Sequence, residues 1–184
     1  MKVKTMSGAF DKQIANRNFL SPLGFKFNLA RAPKADFFSR SANIPGINLG
    51  VAIQPTYLKD IPIPGDKLVF DDFRLTFTID ENLENYNVIQ HWMRGLGYPE
   101  SIYEYSEWKQ SDPINPNQDP NVSDGTLMIY NSNFQPSTLV KFQAMFPTSL
   151  SDIEFDATMT DVQYAVATVT FKYVLYKIYP YEPG

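Results

Sequence analysis

Phe25, Phe27 and Leu29 alternate with Lys26, Asn28 and Ala30. A period of two puts successive side chains on opposite faces of a strand, so residues 24–31 read as the first strand, stopped by Pro33. The strongest alternation spans 67–79. There Phe73, Leu75, Phe77 and Ile79 share one face, and Arg74, Thr76 and Thr78 share the other. A shorter strand is expected at 126–130. A further strand at 138–146 carries Val140, Phe142, Ala144 and Phe146 on one side. At 150–157, Ile153 and Phe155 alternate with Asp152, Glu154 and Asp156. Residues 162–179 then run without an interior glycine or proline. That is far beyond the usual strand of about 5–6 residues, and a strand so long needs partners along its whole length.

The period changes once. Leu83, Tyr86, Ile89, Met93 and Leu96 recur at steps of three and four, with Trp92 beside them. This is one apolar face of a helix. Asp80 suits its N-cap, and Glu81 and Glu84 suit the positive end of its dipole. Gly95 or Gly97 ends it, with Pro99 just beyond.

Between these elements the chain is rich in turns. Residues 37–65 hold Pro45, Gly46, Gly50, Pro55, Pro62, Pro64 and Gly65 around short apolar runs at 49–53, 57–58, and Ile61 with Ile63. The prolines argue for edge strands or extended loop. So long an irregular stretch is uncommon unless it has a job. Residues 1–22 read as a polar arm with room for a short helix over 11–18. Residues 99–133 read as an irregular, solvent-exposed insertion whose 111–125 portion is rich in Ser, Asp, Asn and Pro.

Composition narrows the class. The chain has 184 residues, enough for one domain with a real core. Aromatics are 15%, which favours strands, and charged residues are 20%, which fits a globular chain. There is no cysteine, so disulfides and thiolate metal sites are excluded. No apolar run is long enough for a membrane span, and the N-terminus lacks a signal-peptide core. Charge is split. Residues 1–60 carry nine Lys/Arg against three Asp/Glu, a balance of +6, and the remainder carries seven against seventeen, a balance of -10. Such a split fits either a nucleic-acid-binding arm or a subunit whose basic part meets the acidic part of a neighbour.

Candidate chemistry is sparse. His91 is the one histidine and falls on the helix, without a second His or a Cys to complete a metal site. No Gly-x-Ser-x-Gly, Walker A or GxGxxG pattern occurs. Asp71 and Asp72 are adjacent and would point to opposite faces of a strand. Asp152, Glu154 and Asp156 share a face but lack calcium-loop spacing. Tyr103, Tyr105 and Trp108 fit either a stacking platform or anchors for a long loop.

Several stretches together resemble the tail tube proteins of contractile-tailed phages, a family related to the Hcp-like tubes of type VI secretion. The first is Ile61-Pro62-Ile63-Pro64-Gly65-Asp66-Lys67 followed by Phe70-Asp71-Asp72-Phe73-Arg74-Leu75-Thr76-Phe77. Asp80-Glu81 and the helix through Trp92 continue it. Ala42-Asn43-Ile44-Pro45-Gly46-Ile47 resembles the family's Pro/Gly turn, and Phe146-Pro147-Thr148-Ser149 with 162–179 resembles its C-terminal half. The arm before Pro22 and the insertion at 99–133 depart from a minimal tube subunit.

The resemblance implies a single tube-like domain over 1–184. Its fold would be mainly β, an antiparallel sandwich or split barrel with one flanking helix, whose strands join a barrel shared among subunits. It implies a non-enzymatic virion protein without cofactors, built in the host cytoplasm and resident in the tail. Hexameric rings of it would stack inside a sheath, meet baseplate and tail-terminator proteins at the ends, pass the genomic DNA, and bind no membrane. Ile44, Pro45, Gly46, Leu58, Lys59, Ile61, Pro62, Ile63, Pro64, Gly65 and Asp66 would form an inter-subunit or inter-ring loop. Thr168, Thr170 and Lys172 would face the lumen. The basic third, with Lys34, Arg40 and Lys59, would meet acidic loops of the next ring. The alternatives are a tube-initiating baseplate protein of the same fold and, from another class, a β-sandwich ligand-binding module.

Overall fold

The computed structural model describes residues 19–32, 38–97, 99–101, 103–106, 119, 121–155, 158 and 163–182. Most of the expected N-terminal arm lies outside them, with its short helix, as do Lys34, Trp108, Asp156 and much of the 111–125 stretch. In chain order the described elements are β1 (Phe25–Leu29), β2 (Phe38–Ala42), β3 (Ile47–Gln54), β4 (Ile61–Phe70), β5 (Phe73–Thr78), α1 (Glu84–Gly97), β6 (Ser123–Tyr130), β7 (Pro136–Leu150), β8 (Val166–Lys172) and β9 (Leu175–Pro180). The fold is mainly β and antiparallel with a flanking helix, as the alternation predicts. Among the described residues no helix is long and apolar enough to cross a membrane.

Seven strands form one folded sheet in the order β1-β6-β7-β8-β5-β2, with β9 also on β7. Strand β7 is its seam. Thr138 to Gln143 pair with β9 while β6 lies along the opposite edge, and Phe146 to Leu150 pair with β8. The strand turns between the two halves at Ala144, whose φ is 52°. The sheet does not close on itself, and β1 and β2 are both left as edges.

The two halves face one another across the core. Phe27, Leu29, Leu127, Val140 and Phe142 come from one half, and Phe73, Leu75, Phe77, Val169 and Phe171 from the other. Phe73 joins them, with ring centroids 4.6 Å from Phe142 and 5.1 Å from Phe27. Apolar positions spaced by two on β1, β5, β6 and β8, with Val140 and Phe142 of β7, therefore meet in one layer, where burial removes each of them from water.

Helix α1 buries Ile89 and Trp92, and Tyr86, Met93 and Leu96 pack against the core. Its start is held reciprocally. The Asn85 amide donates to Asp80 Oδ1 at 3.3 Å, the Asp80 amide donates to Asn85 Oδ1 at 3.4 Å, and Asn85 Nδ2 donates to the Thr78 carbonyl at 2.9 Å. Asp80 thus satisfies one of the unpaired first-turn amides from outside the helix, whereas the N-cap position expected for it is held by Leu83, whose carbonyl accepts from the Asn87 amide. Trp92 Nε1 donates to the Asn121 carbonyl at 3.3 Å, and the Arg31 guanidinium lies 5.0 Å over its ring.

Four expectations change. The strand over 67–79 breaks at Asp71-Asp72, because β4 pairs with β3 whereas β5 pairs with β8 and β2. The strand over 162–179 is two, β8 and β9. Its inward residues run 167, 169, 171, 173 and then 176, so an added residue at Val174-Leu175 resets the phase. Its partner along one edge is β7 of the same chain. Residues 136–150 form one strand, whereas 151–155 form none. The stretch 37–65 contains β2 and β3 and the start of β4, although β4 includes Pro62 and Pro64. Those prolines lie two apart, so both missing donors fall on the same edge of β4.

Candidate assembly surface

Strands β3 and β4 form a two-stranded ribbon outside the main sheet. Across it Ile47 faces Phe70, Leu49 faces Leu68, Val51 faces Pro64 and Ile53 faces Pro62. Directly opposed residues share a face, and residues two apart on one strand share it too. One side of the ribbon is therefore apolar along its whole length. The other side carries Asn48, Ala52 and Gln54 with Val69, Ile63 and Ile61.

Phe70 packs on Tyr173 and Tyr176 at the root, and beyond it no described residue covers this apolar side. All eight residues of β3 are exposed, with Val51 at 67% and Ile53 at 66%. At the tip Leu58 is 99% exposed, and the Lys59 amide donates to Thr56 Oγ1 at 3.3 Å. A contiguous apolar surface of this kind marks an interaction site.

The ribbon bends midway. Gly50 stands alone opposite the stretch Gly65-Asp66-Lys67, and a Cβ on Gly65 would run into the Gly50 carbonyl. Glycine is needed there because the two backbones approach too closely for a side chain.

The root is tied to the body from both legs. On the entry leg Tyr176 Oη donates to the Pro45 carbonyl at 3.0 Å. On the exit leg Tyr173 Oη donates to the Asp71 carbonyl at 2.8 Å. The Asp71 amide donates to the Gly46 carbonyl at 3.0 Å, joining the legs. Asn43 spans them as well, accepting from the Arg74 amide at 2.6 Å and donating to the Asp72 carbonyl at 3.1 Å. Burial pushes the Tyr173 phenol up to about 12, with the Tyr176, Asp71 and Asp72 charges adding to it.

The predicted loop residues all fall on this ribbon or its root. Ile44, Pro45 and Gly46 form the entry leg, Leu58 and Lys59 the tip, Ile61, Pro62, Ile63 and Pro64 the outer part of β4, and Gly65 and Asp66 the bend. Periodicity missed Tyr173 and Tyr176 as root anchors, because an unbroken strand puts Tyr173 on the core side and Tyr176 on the other. Thr168, Thr170 and Lys172 share the face of β8 opposite the buried Ala167, Val169 and Phe171. Thr76 and Arg74 of β5 stand beside Thr168 and Thr170, and the Thr76 and Thr168 hydroxyls are 2.9 Å apart. The Lys172 ammonium is paired with Asp72 at 2.9 Å.

The other candidates are dispersed. Tyr105 Oη donates to Asn121 Oδ1 at 3.1 Å, anchoring its segment, while Tyr103 points outward at 76% exposure. His91, Asp152 and Glu154 are exposed. Among the described residues no group of three potential metal ligands comes together.

Comparison with known proteins agrees with this architecture. The tube-terminating cap of the anti-feeding prophage has a TM-score of 0.58 at 18% identity, over 95% of this chain and 100% of that chain. A chain of the sheath-tube complex of an extracellular contractile injection system, in its extended state, has a TM-score of 0.56 at 18% identity, over 96% and 100%. A chain of the six-fold symmetrised anti-feeding prophage baseplate has 0.53 at 12%, over 84% and 90%. Among curated proteins none matches the chain. The family model described as phage tail tube protein matches residues 9–179, nearly the whole length, and the chain belongs to that family.

Proposed function

We propose that this protein is the structural subunit of the inner tube of a contractile phage tail. Further copies of itself would cover the exposed apolar ribbon, giving six-membered rings that stack. The single observation behind this reading is the ribbon face of Ile47, Leu49, Val51 and Ile53, which stays exposed among the described residues. Family membership and the likeness to a sheath-tube complex support the choice of a second copy as the occupant. The open sheet edges at β1 and β2 support it too, since closure between subunits removes unpaired edges.

In this reading the protein is not an enzyme. It is assembled in the host cytoplasm and resides in the virion tail, with sheath protein outside the tube and baseplate and terminator proteins at its ends. Thr168, Thr170 and Lys172 line the lumen. They offer hydroxyls and a cation already paired with Asp72, a surface with little hold on passing phosphates.

Negative-stain microscopy of the purified chain tests the proposal. Six-fold rings or hollow tubes are expected, and a monomer at high concentration would overturn it. The likeness to a cap and a baseplate chain favours one second reading, a tube-initiating or terminating subunit of the same fold. Copy number per particle separates the two, being high for a tube and a single ring's worth for an end piece.

A further inference from the structure

We propose that Tyr173 and Tyr176 are positioning residues that latch the root of the β3–β4 ribbon, so that it leaves the sheet at a fixed angle before any partner arrives. Each phenol holds a different leg, Tyr176 the Pro45 carbonyl and Tyr173 the Asp71 carbonyl. Their rings lie 6.0 Å apart, and both pack on Phe70, the last residue of β4, at 6.0 and 5.7 Å. Both also pack on Phe142 in the core, at 5.1 and 5.7 Å. The latch thus runs unbroken from a fully buried ring to the two backbone legs. The Asp72–Lys172 ion pair adds a third tie from the exit leg to β8.

The phase reset between β8 and β9 makes this possible. In an unbroken strand, residues 173 and 176 would face opposite sides. The extra residue at Val174-Leu175 turns both tyrosines to the same side, one under each leg. A free two-stranded ribbon is marginal in water. Fixing its root removes part of the ordering cost from association, which is the gain of preorganisation.

The role in assembly rests on the proposed self-association, whereas the latch itself does not. The test uses the full chain with Tyr173→Phe, Tyr176→Phe and both together. Each keeps its ring and loses only the hydroxyl. Hydrogen exchange of the Asp71 amide and its root neighbours should quicken up to about tenfold in the double variant, and less in each single. Exchange in β8 and in β5 beyond Arg74 should not change. The concentration needed for ring formation should rise several-fold. Unchanged exchange at the root would overturn the latch. Faster exchange with assembly at the wild-type concentration would overturn the positioning role. A wild-type chain that never assembles would defeat the tube reading instead, and the exchange data would still decide the latch.

Discussion

The amide of Ala144 donates to the Asp124 carboxylate at 3.1 Å, at the point where β7 passes from one half of the sheet to the other. Ala144 has a φ of 52°, in the left-handed region that an L-residue enters only at a cost. The aspartate on β6 gives that turned amide an acceptor. A seam in a folded sheet needs such a corner, because one strand must serve two partner sets.

Weakening the corner should therefore lower stability. Asp124→Ala is expected to cost about 1 kcal/mol through the lost acceptor. Ala144→Val should cost about 1–3 kcal/mol, since a β-branched side chain is poorly accommodated there. Urea unfolding midpoints of both variants against the wild type measure this, and an unchanged Ala144→Val midpoint would count against strain at the seam.

The ribbon face should behave in the opposite way. Leu49→Asp replaces an exposed apolar side chain and should leave unfolding within about 0.5 kcal/mol of wild type. Self-association should nevertheless be lost. Light scattering coupled to size exclusion reads the second effect and thermal melting the first. Retained assembly would remove the ribbon face from the contact.

Truncation in the core separates fold from surface. Phe73 is fully buried between Phe27, Phe142 and Phe171. Phe73→Ala should cost about 3–5 kcal/mol, the lost transfer energy plus a cavity. Denaturant titration checks it, and a loss near 1 kcal/mol would mean that the two halves collapse onto the gap.

Alkaline titration should report on the root. Tyr173 is raised from 10 in the unfolded chain to about 12 in the fold. Its contribution is complete below pH 10 and is lost between pH 10 and 12, because the unfolded chain releases the proton first. Unfolding midpoints should fall across that window, and Tyr173→Phe should flatten part of the slope. Parallel slopes in the two proteins would deny that the buried phenol is the titrating group.

The residues determine the inward faces. Phe73, Leu75 and Phe77 on β5 and Val169 and Phe171 on β8 are all buried, as a period of two requires, and α1 turns Ile89 and Trp92 inward as its spacing requires. Periodicity is local, so each of these readings needs only a few neighbouring positions. Where strands end depends on which partner each segment meets, and partners are distant in sequence. The break at Asp71-Asp72 and the corner at Ala144 occur where a strand exchanges one neighbour for another, and the reset at Val174-Leu175 lies beside that corner, with β7 as the partner on both sides. The ribbon shows the same division. Alternation at Ile47, Leu49, Val51 and Ile53 reads identically whether a strand faces its own core or another molecule. Only the tertiary structure leaves that face uncovered, because β3 and β4 pair with each other and with no other described strand.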